Sequence, residues 1–198
     1  MTAADQARLV EALRFALAAH GDQTRKGSSI PYASHLLGVA ALVYEAGGDI
    51  VQAVAALLHD TLEDCPSVDL ASIRTQFGGE VAEIVETCSD LLPGDRPGAK
   101  APWGERKTRY LDRLASAAPR TQLVAACDKL HNLRGLVVDL ESEGPETLER
   151  FTAEPAKTRW YYESAAARFA AALPEGLRRD FEHQLRRLAV HVPRAEAP

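Results

Sequence analysis

The sequence predicts an all-α protein, and three observations predict it. Apolar residues recur at intervals of three and four along most of the chain, the spacing of helices with one buried face. No segment alternates with the two-residue period of a half-buried strand. Glycines and prolines divide the apolar stretches into lengths ordinary for globular helices. Composition agrees: aromatic residues are 6% of the chain, and stretches rich in Ala and Leu favour helix. With 198 residues, 46% of them hydrophobic, the chain can bury a sizeable core. No linker is long enough to split it. Residues 1–192 are therefore expected to form one domain, and the tail 193–198, PRAEAP, to be disordered.

Each element has its own signal. Leu9, Leu13, Ala16 and Leu17 mark an amphipathic helix over residues 4–20. GDQTRKGSSI then reads as a loop, with a glycine on each side of Arg25-Lys26. Pro31 suits the first turn of a second helix, which runs through His35, Leu36, Val39, Leu42 and Val43 to a stop at Gly47-Gly48. Asp49 can cap a third helix that ends near His59-Asp60. Ser67 or Asp69 can cap a short helix ending at Phe77-Gly78-Gly79, and another runs from Glu80 to Leu91. LPGDRPGAKAPWG, with three prolines and three glycines, is a loop over 92–104. Helix resumes at Glu105, breaks at Pro119, and resumes through Leu123, Val124, Cys127, Leu130, Leu133 and Val137. ESEGPET reads as a turn, and Pro145 can open a short helix. Pro155 divides that from a helix through Trp160 to Leu173. Pro174-Glu175-Gly176 makes another turn before a last helix from Leu177 to Val190.

The formal net charge of −5 argues against a general binder of nucleic acid or anionic membranes. It leaves room for an anionic small molecule held by a local basic cluster. No run of about 20 apolar residues exists, so no membrane span is expected. The charged N-terminus lacks the apolar core of a signal peptide. Cys65, Cys88 and Cys127 are odd in number and show no CxxC spacing. Neither a disulfide framework nor a thiolate zinc site follows from them, and a reducing cytoplasm is the expected compartment. A homo-oligomer stays open.

The chemistry concentrates in LLHDTLED, where an apolar helix runs into His59, Asp60, Glu63 and Asp64. On a helix His59 and Glu63 share a face, as do Asp60 and Asp64. Burying such groups is costly unless something binds them, and a metal ion is the natural candidate. His35 on the second helix and Asp128, set among Val124, Ala125, Ala126, Cys127 and Leu130, can join them. Two imidazoles and two carboxylates suit a borderline or hard divalent ion such as manganese, iron or cobalt, with positions left for water. Plainer readings stand beside this one. His35 alone reads as a helix histidine bonded to a backbone carbonyl. Asp128 reads equally as a partner of Lys129, Arg134 or Arg25, and Glu63-Asp64 as solvated residues at a helix end. His20, His131, His183 and His191 read as ordinary histidines.

Blocks in a fixed order carry more than any one motif. AAHGDQTRKG, PYASHLLGVA, AALLHDTLED, FGGEVAEIVE, ERKTRY, CDKLHNLR and KTRWYYESA follow one another over roughly residues 10 to 165. This order resembles the HD-domain hydrolases of the RelA/SpoT type, above all their short stand-alone members, the small alarmone hydrolases and metazoan SpoT-like hydrolases. The resemblance implies a single HD-domain helical bundle and one divalent metal ion, most often manganese, on His35, His59, Asp60 and Asp128. It implies that Glu63 and Asp64 orient or activate the attacking water. It implies that Arg25, Lys26 and Lys107 meet the phosphates and purine, Asn132 the ribose region, and Lys157 and Tyr161 the rest of the pocket.

The implied reaction is hydrolysis of the 3′-pyrophosphate of guanosine tetra- or pentaphosphate, releasing pyrophosphate. The implied partner is thus a purine nucleotide. Three departures bear on this. Leu36 stands where the family usually has proline. Trp103-Gly104 stands where short relatives carry a basic residue. The segments 93–104 and 141–156 look longer than in relatives. Two alternatives therefore stay open: a phosphohydrolase on another nucleotide, such as NADPH, an adenosine alarmone or a nucleoside monophosphate, and a non-catalytic nucleotide sensor. No residues remain for a synthetase domain.

Overall fold

A computed structural model describes residues 1–90, 101–151 and 153–194. Among these residues the regular secondary structure is helical, apart from one isolated bridge between Thr24 and Pro31. The helices are α1 (Ala3–His20), α2 (Ala33–Glu45), α3 (Ile50–Leu58), α4 (Thr61–Asp64), α5 (Leu70–Phe77), α6 (Gly79–Cys88), α7 (Trp103–Ala115), α8 (Pro119–Glu143), α9 (Pro155–Phe169) and α10 (Glu175–His191). A 3-10 turn, Pro145–Arg150, joins α8 to α9. The fold is all-α, as the periodicity predicts. None of these helices is long and apolar enough to cross a membrane.

The centre is α3. It is apolar on every side, and a helix of that kind has to be buried. Its residues from Gln52 to Leu58 are all buried, packed by α1, α2, α6 and α8. Its start is fixed locally. The Asp49 carboxylate accepts from Gln52 N–H at 3.0 Å, and Gln52 Oε1 accepts from Asp49 N–H at 3.0 Å. Asp49→Ala should therefore cost about 1 kcal/mol of stability, read as a lower denaturant midpoint at unchanged slope; an unshifted midpoint would show that packing alone sets this helix start.

The boundaries depart from the sequence reading in places with clear causes. Helix α3 stops at Leu58 and α4 follows, but His59 (φ −58°, ψ −32°) and Asp60 (φ −95°, ψ −5°) stay near helical angles. Asp64 N–H still donates to Asp60 C=O at 2.9 Å, so the four-residue spacing survives the break. Helix α2 begins at Ala33, because Pro31 is spent on the bridge to Thr24. Helix α6 ends at Cys88, where Ser89 turns extended (ψ 137°); Leu91 lies outside the described residues. Pro102 (ψ 142°) starts α7 at Trp103, two residues before the expected Glu105, while 92–100 lie outside the described residues. Glu141, Ser142 and Glu143 extend α8 rather than turning, aided by Ser142 Oγ donating to Val138 C=O at 2.8 Å. Helix α9 stops at Phe169, short of Leu173, and α10 starts at Glu175 with Pro174 as its cap. Of the tail, 195–198 lie outside the described residues.

One close approach positions the site. Gly38 of α2 faces His131 of α8, and a Cβ at Gly38 would lie 2.1 Å from His131 Nε2. The loop before α2 is tied at its base: Arg25 N–H donates to Ile30 C=O at 2.8 Å and Tyr32 N–H to Gln23 C=O at 2.9 Å. That closure holds out the Arg25-Lys26 pair.

Candidate active site

Helices α2, α3 and α8 bring four predicted residues together at the core. His59 Nε2 lies 2.9 Å from Asp60 Oδ2 and 3.5 Å from Asp128 Oδ1. His35 Nε2 lies 3.4 Å from Asp60 Oδ2, 3.2 Å from Asp128 Oδ1 and 3.3 Å from His59 Nε2. Adjacent ligand atoms about 2.1 Å from one divalent ion stand about 3 Å apart, so these separations fit such an ion. His35, His59 and Asp128 offer atoms all within 4.8 Å of one another. Asp60 stands outside that set, its Oδ2 gripped by the Tyr32 hydroxyl at 2.5 Å.

Tautomers and charges favour a cation here. His59 Nδ1 lies 2.8 Å from Ala56 C=O, so Nδ1 carries the proton and Nε2 offers its lone pair to the cluster. Burial opposes charge on His59, yet Asp60 and Asp128 hold its pKa well above the ordinary value. The two carboxylates thus draw positive charge, and a divalent ion can take the place of that proton. Burial also works against the Asp128 anion, but Lys129 and His59 hold it well below the usual range. Lys129 pairs with Asp128 Oδ2, and Asn132 Nδ2 donates to Oδ1 at 2.7 Å. The plainer pairing of Asp128 with Lys129 is therefore present alongside the cluster. Burial, then Asp60, pushes the Tyr32 phenol far up, so Tyr32 remains a donor.

Beside the cluster lies a two-lobed cleft. One lobe, about 270 Å³, is lined by Glu63, Asp90, Trp103 and Arg106. The other, about 400 Å³, is lined by Arg25, Asn132, Lys129 and Arg150. Lys26, Lys107, Phe151, Tyr161 and Tyr162 line both. Arg25 Nη2 donates to Asn132 Oδ1 at 3.0 Å, and Lys26 Nζ sits 5.4 Å over the Phe151 ring. Lys107 Nζ lies 2.6 Å from Asp90 Oδ2 and 5.2 Å over the Tyr161 ring. Tyr161 Oη is buried and has no hydrogen-bond partner among the described residues, an atom suited to a ligand. Exposed Asp64 accepts from Gln23 Nε2 at 3.4 Å. Lys157 is not brought in: it lines neither lobe, and its ammonium reaches Glu154 at 3.2 Å.

Three residues near the site escape the sequence reading. Tyr32 braces Asp60, and its ring stacks on buried His20 at 4.8 Å. Tyr32 lies one turn before His35, a spacing that could have flagged it. His131 Nδ1 lies 3.0 Å from His35 Nδ1. Burial, then His35 and Arg25, lowers the His131 pKa to about 4. Asp90 is buried between Arg106 (2.5 Å) and Lys107, and its side chain is hydrogen-bonded to Glu63. No local pattern announces an Asp just past a helix end.

With helices and cluster in view, comparison with known proteins gives the class: the chain belongs to the HD-domain family, whose pattern matches residues 12–154. Among its relatives is the mouse guanosine-3′,5′-bis(diphosphate) 3′-pyrophosphohydrolase MESH1, 40% identical over 135 residues, 67% of this chain and 71% of that one. The human MESH1 is similar to the same extent, 40% over 135 residues. The solved structure of a metazoan SpoT orthologue, reported to hydrolyse ppGpp, superposes with a TM-score of 0.71 over 91% of this chain and 94% of its own, at 24% identity. It shares the fold.

Proposed function

We propose that this protein hydrolyses the 3′-pyrophosphate of guanosine tetra- or pentaphosphate, using one divalent ion, manganese. The observation that carries the reading is the His35–His59–Asp60–Asp128 cluster opening beside a cleft that holds both Glu63 and the Arg25-Lys26 loop. Relatives at 40% identity bear that activity in their names.

His35, His59, Asp60 and Asp128 would hold a divalent ion, which would supply a water of lowered pKa and a counter-charge for a phosphoryl oxygen. Glu63 takes a proton from the attacking water as its oxygen adds to the phosphorus on the ribose 3′-oxygen, and returns one to that oxygen as its bond to phosphorus breaks. The products are pyrophosphate and the guanosine 5′-di- or triphosphate. Burial opposes the Asp90 anion, but Lys107 and Arg106 keep it charged, so it can accept a hydrogen bond from Glu63 once Glu63 has taken that proton. Asp64 steadies the substrate loop through Gln23. Arg25, Lys26 and Lys107 meet the phosphates, Asn132 the ribose, and Tyr161 gives its free hydroxyl to the nucleotide.

Trp103 favours one second reading. An aromatic ring lines the lobe beside Glu63, where short relatives carry a base, and this suits a different nucleotide on the same metal chemistry. A panel of nucleotides with added manganese, assayed for pyrophosphate and phosphate, separates the two. Pyrophosphate from guanosine tetraphosphate is expected. Phosphate from another member, with none from this one, would move the assignment to that substrate, and no metal-dependent turnover at all would leave a nucleotide sensor.

Arg25→Ala should raise KM for the best nucleotide by roughly 10- to 150-fold, the loss of one charged contact worth about 1.5 to 3 kcal/mol. Metal content and the unfolding midpoint should stay put. Kinetics equal to wild type would remove Arg25 from the pocket.

A further inference from the structure

We infer that His131 is a positioning residue that aims His35 at the metal, an inference that rests on the metal reading above. The two candidate imidazole ligands are set differently. His59 turns its Nδ1 proton to a carbonyl of its own helix, Ala56 C=O at 2.8 Å. Among the described residues His35 Nδ1 meets no such carbonyl. Its Nδ1 faces His131 Nδ1 at 3.0 Å, with ring centroids 4.9 Å apart at 60°. For His35 Nε2 to present a lone pair to the cluster, its proton must sit on Nδ1 and must find an acceptor. His131 Nδ1 is that acceptor, which puts the proton of His131 on its own Nε2. One imidazole therefore fixes both the tautomer and the ring plane of the other.

The helix pair is built around this contact. On α8, Asp128, His131 and Asn132 fall three and four residues apart and share a face. The same turn that supplies a ligand carboxylate and its Asn132 clasp thus supplies the brace for His35. On α2, Gly38 sits three residues after His35. A Cβ at Gly38 would come 2.1 Å from His131 Nε2 and 2.4 Å from Cδ2, closer than real side chains approach. Glycine there admits the ring. A histidine that merely filled a gap between helices would need this room too, but it would not need a lone pair aimed at Nδ1 of a candidate ligand.

The test separates acceptor from filler. His131→Asn keeps an acceptor at the position of Nδ1, and His131→Leu has nearly the same size without one. Chelator-stripped proteins are titrated with manganese, and free ion is read from its electron paramagnetic resonance signal. His131→Leu should bind manganese about 10- to 100-fold more weakly, and His131→Asn within about threefold of wild type. Gly38→Ala, which leaves His131 in place but displaces its ring, should weaken binding in the same direction and serves if His131→Leu does not fold. Wild-type affinity in His131→Leu or, in its stead, Gly38→Ala, or equal weakening in His131→Leu and His131→Asn, overturns the inference while the metal site stands. A wild-type protein that takes up no manganese overturns the metal reading itself and this inference with it.

Discussion

Glu63→Gln should keep its metal and lose about 10²- to 10⁴-fold in turnover, the usual effect of removing a general base. The substitution preserves size and reach, so the cleft lobe that Glu63 lines keeps its shape. An amide cannot accept the proton of an attacking water. It can still donate to Asp90, which the pair Arg106 and Lys107 holds in place, so folding should be unaffected. The measurement is kcat with metal content determined on the same preparation. Turnover near wild type at full metal loading would move the proton transfer to another group, Asp64 or Asp90 first.

The second large effect is at Asp128. Asp128→Ala should lose the divalent ion and with it all metal-dependent turnover. It should also lose stability, because Lys129 would stay largely buried without its counter-ion, a change worth about 3 kcal/mol. Asp128→Asn distinguishes these losses: it removes the charge but still offers Lys129 an amide oxygen. Metal analysis of both variants, beside their unfolding midpoints, is the check. Full metal occupancy in either would mean that the ligand set is wrongly chosen.

What was legible in the sequence was local. The Asp49 cap, the Asp69 cap and the stop at Gly78 with φ +95° are set by neighbouring residues, and each could be read in place. His35, His59, Asp60 and Asp128, which the fold brings together, stand out in the sequence as polar groups in or beside apolar helices. The misses are tertiary. His131 looks ordinary until α2 is laid against it, and Asp90 until α7 brings Arg106 and Lys107 across. Lys157 stands apart from both lobes, its ammonium paired with Glu154 three residues earlier. The departures at Trp103 and at 141–156 also change meaning in three dimensions. Trp103 lines the lobe beside Glu63, and the connection after α8 lays Arg150 over Gly27 and Phe151 over Lys26.

The chain of bonds from Arg25 through Asn132 to Asp128 has a thermodynamic consequence. If a nucleotide engages Arg25 as proposed, the Asn132 oxygen would be released, and the amide that clasps the carboxylate would be free to reorient. Occupancy of the cleft and occupancy of the cluster are then linked equilibria. By reciprocity, the factor by which nucleotide alters affinity for the ion equals the factor by which the ion alters affinity for nucleotide. Asn132→Ala would remove this route of coupling, leaving whatever arises from direct contact between the two guests.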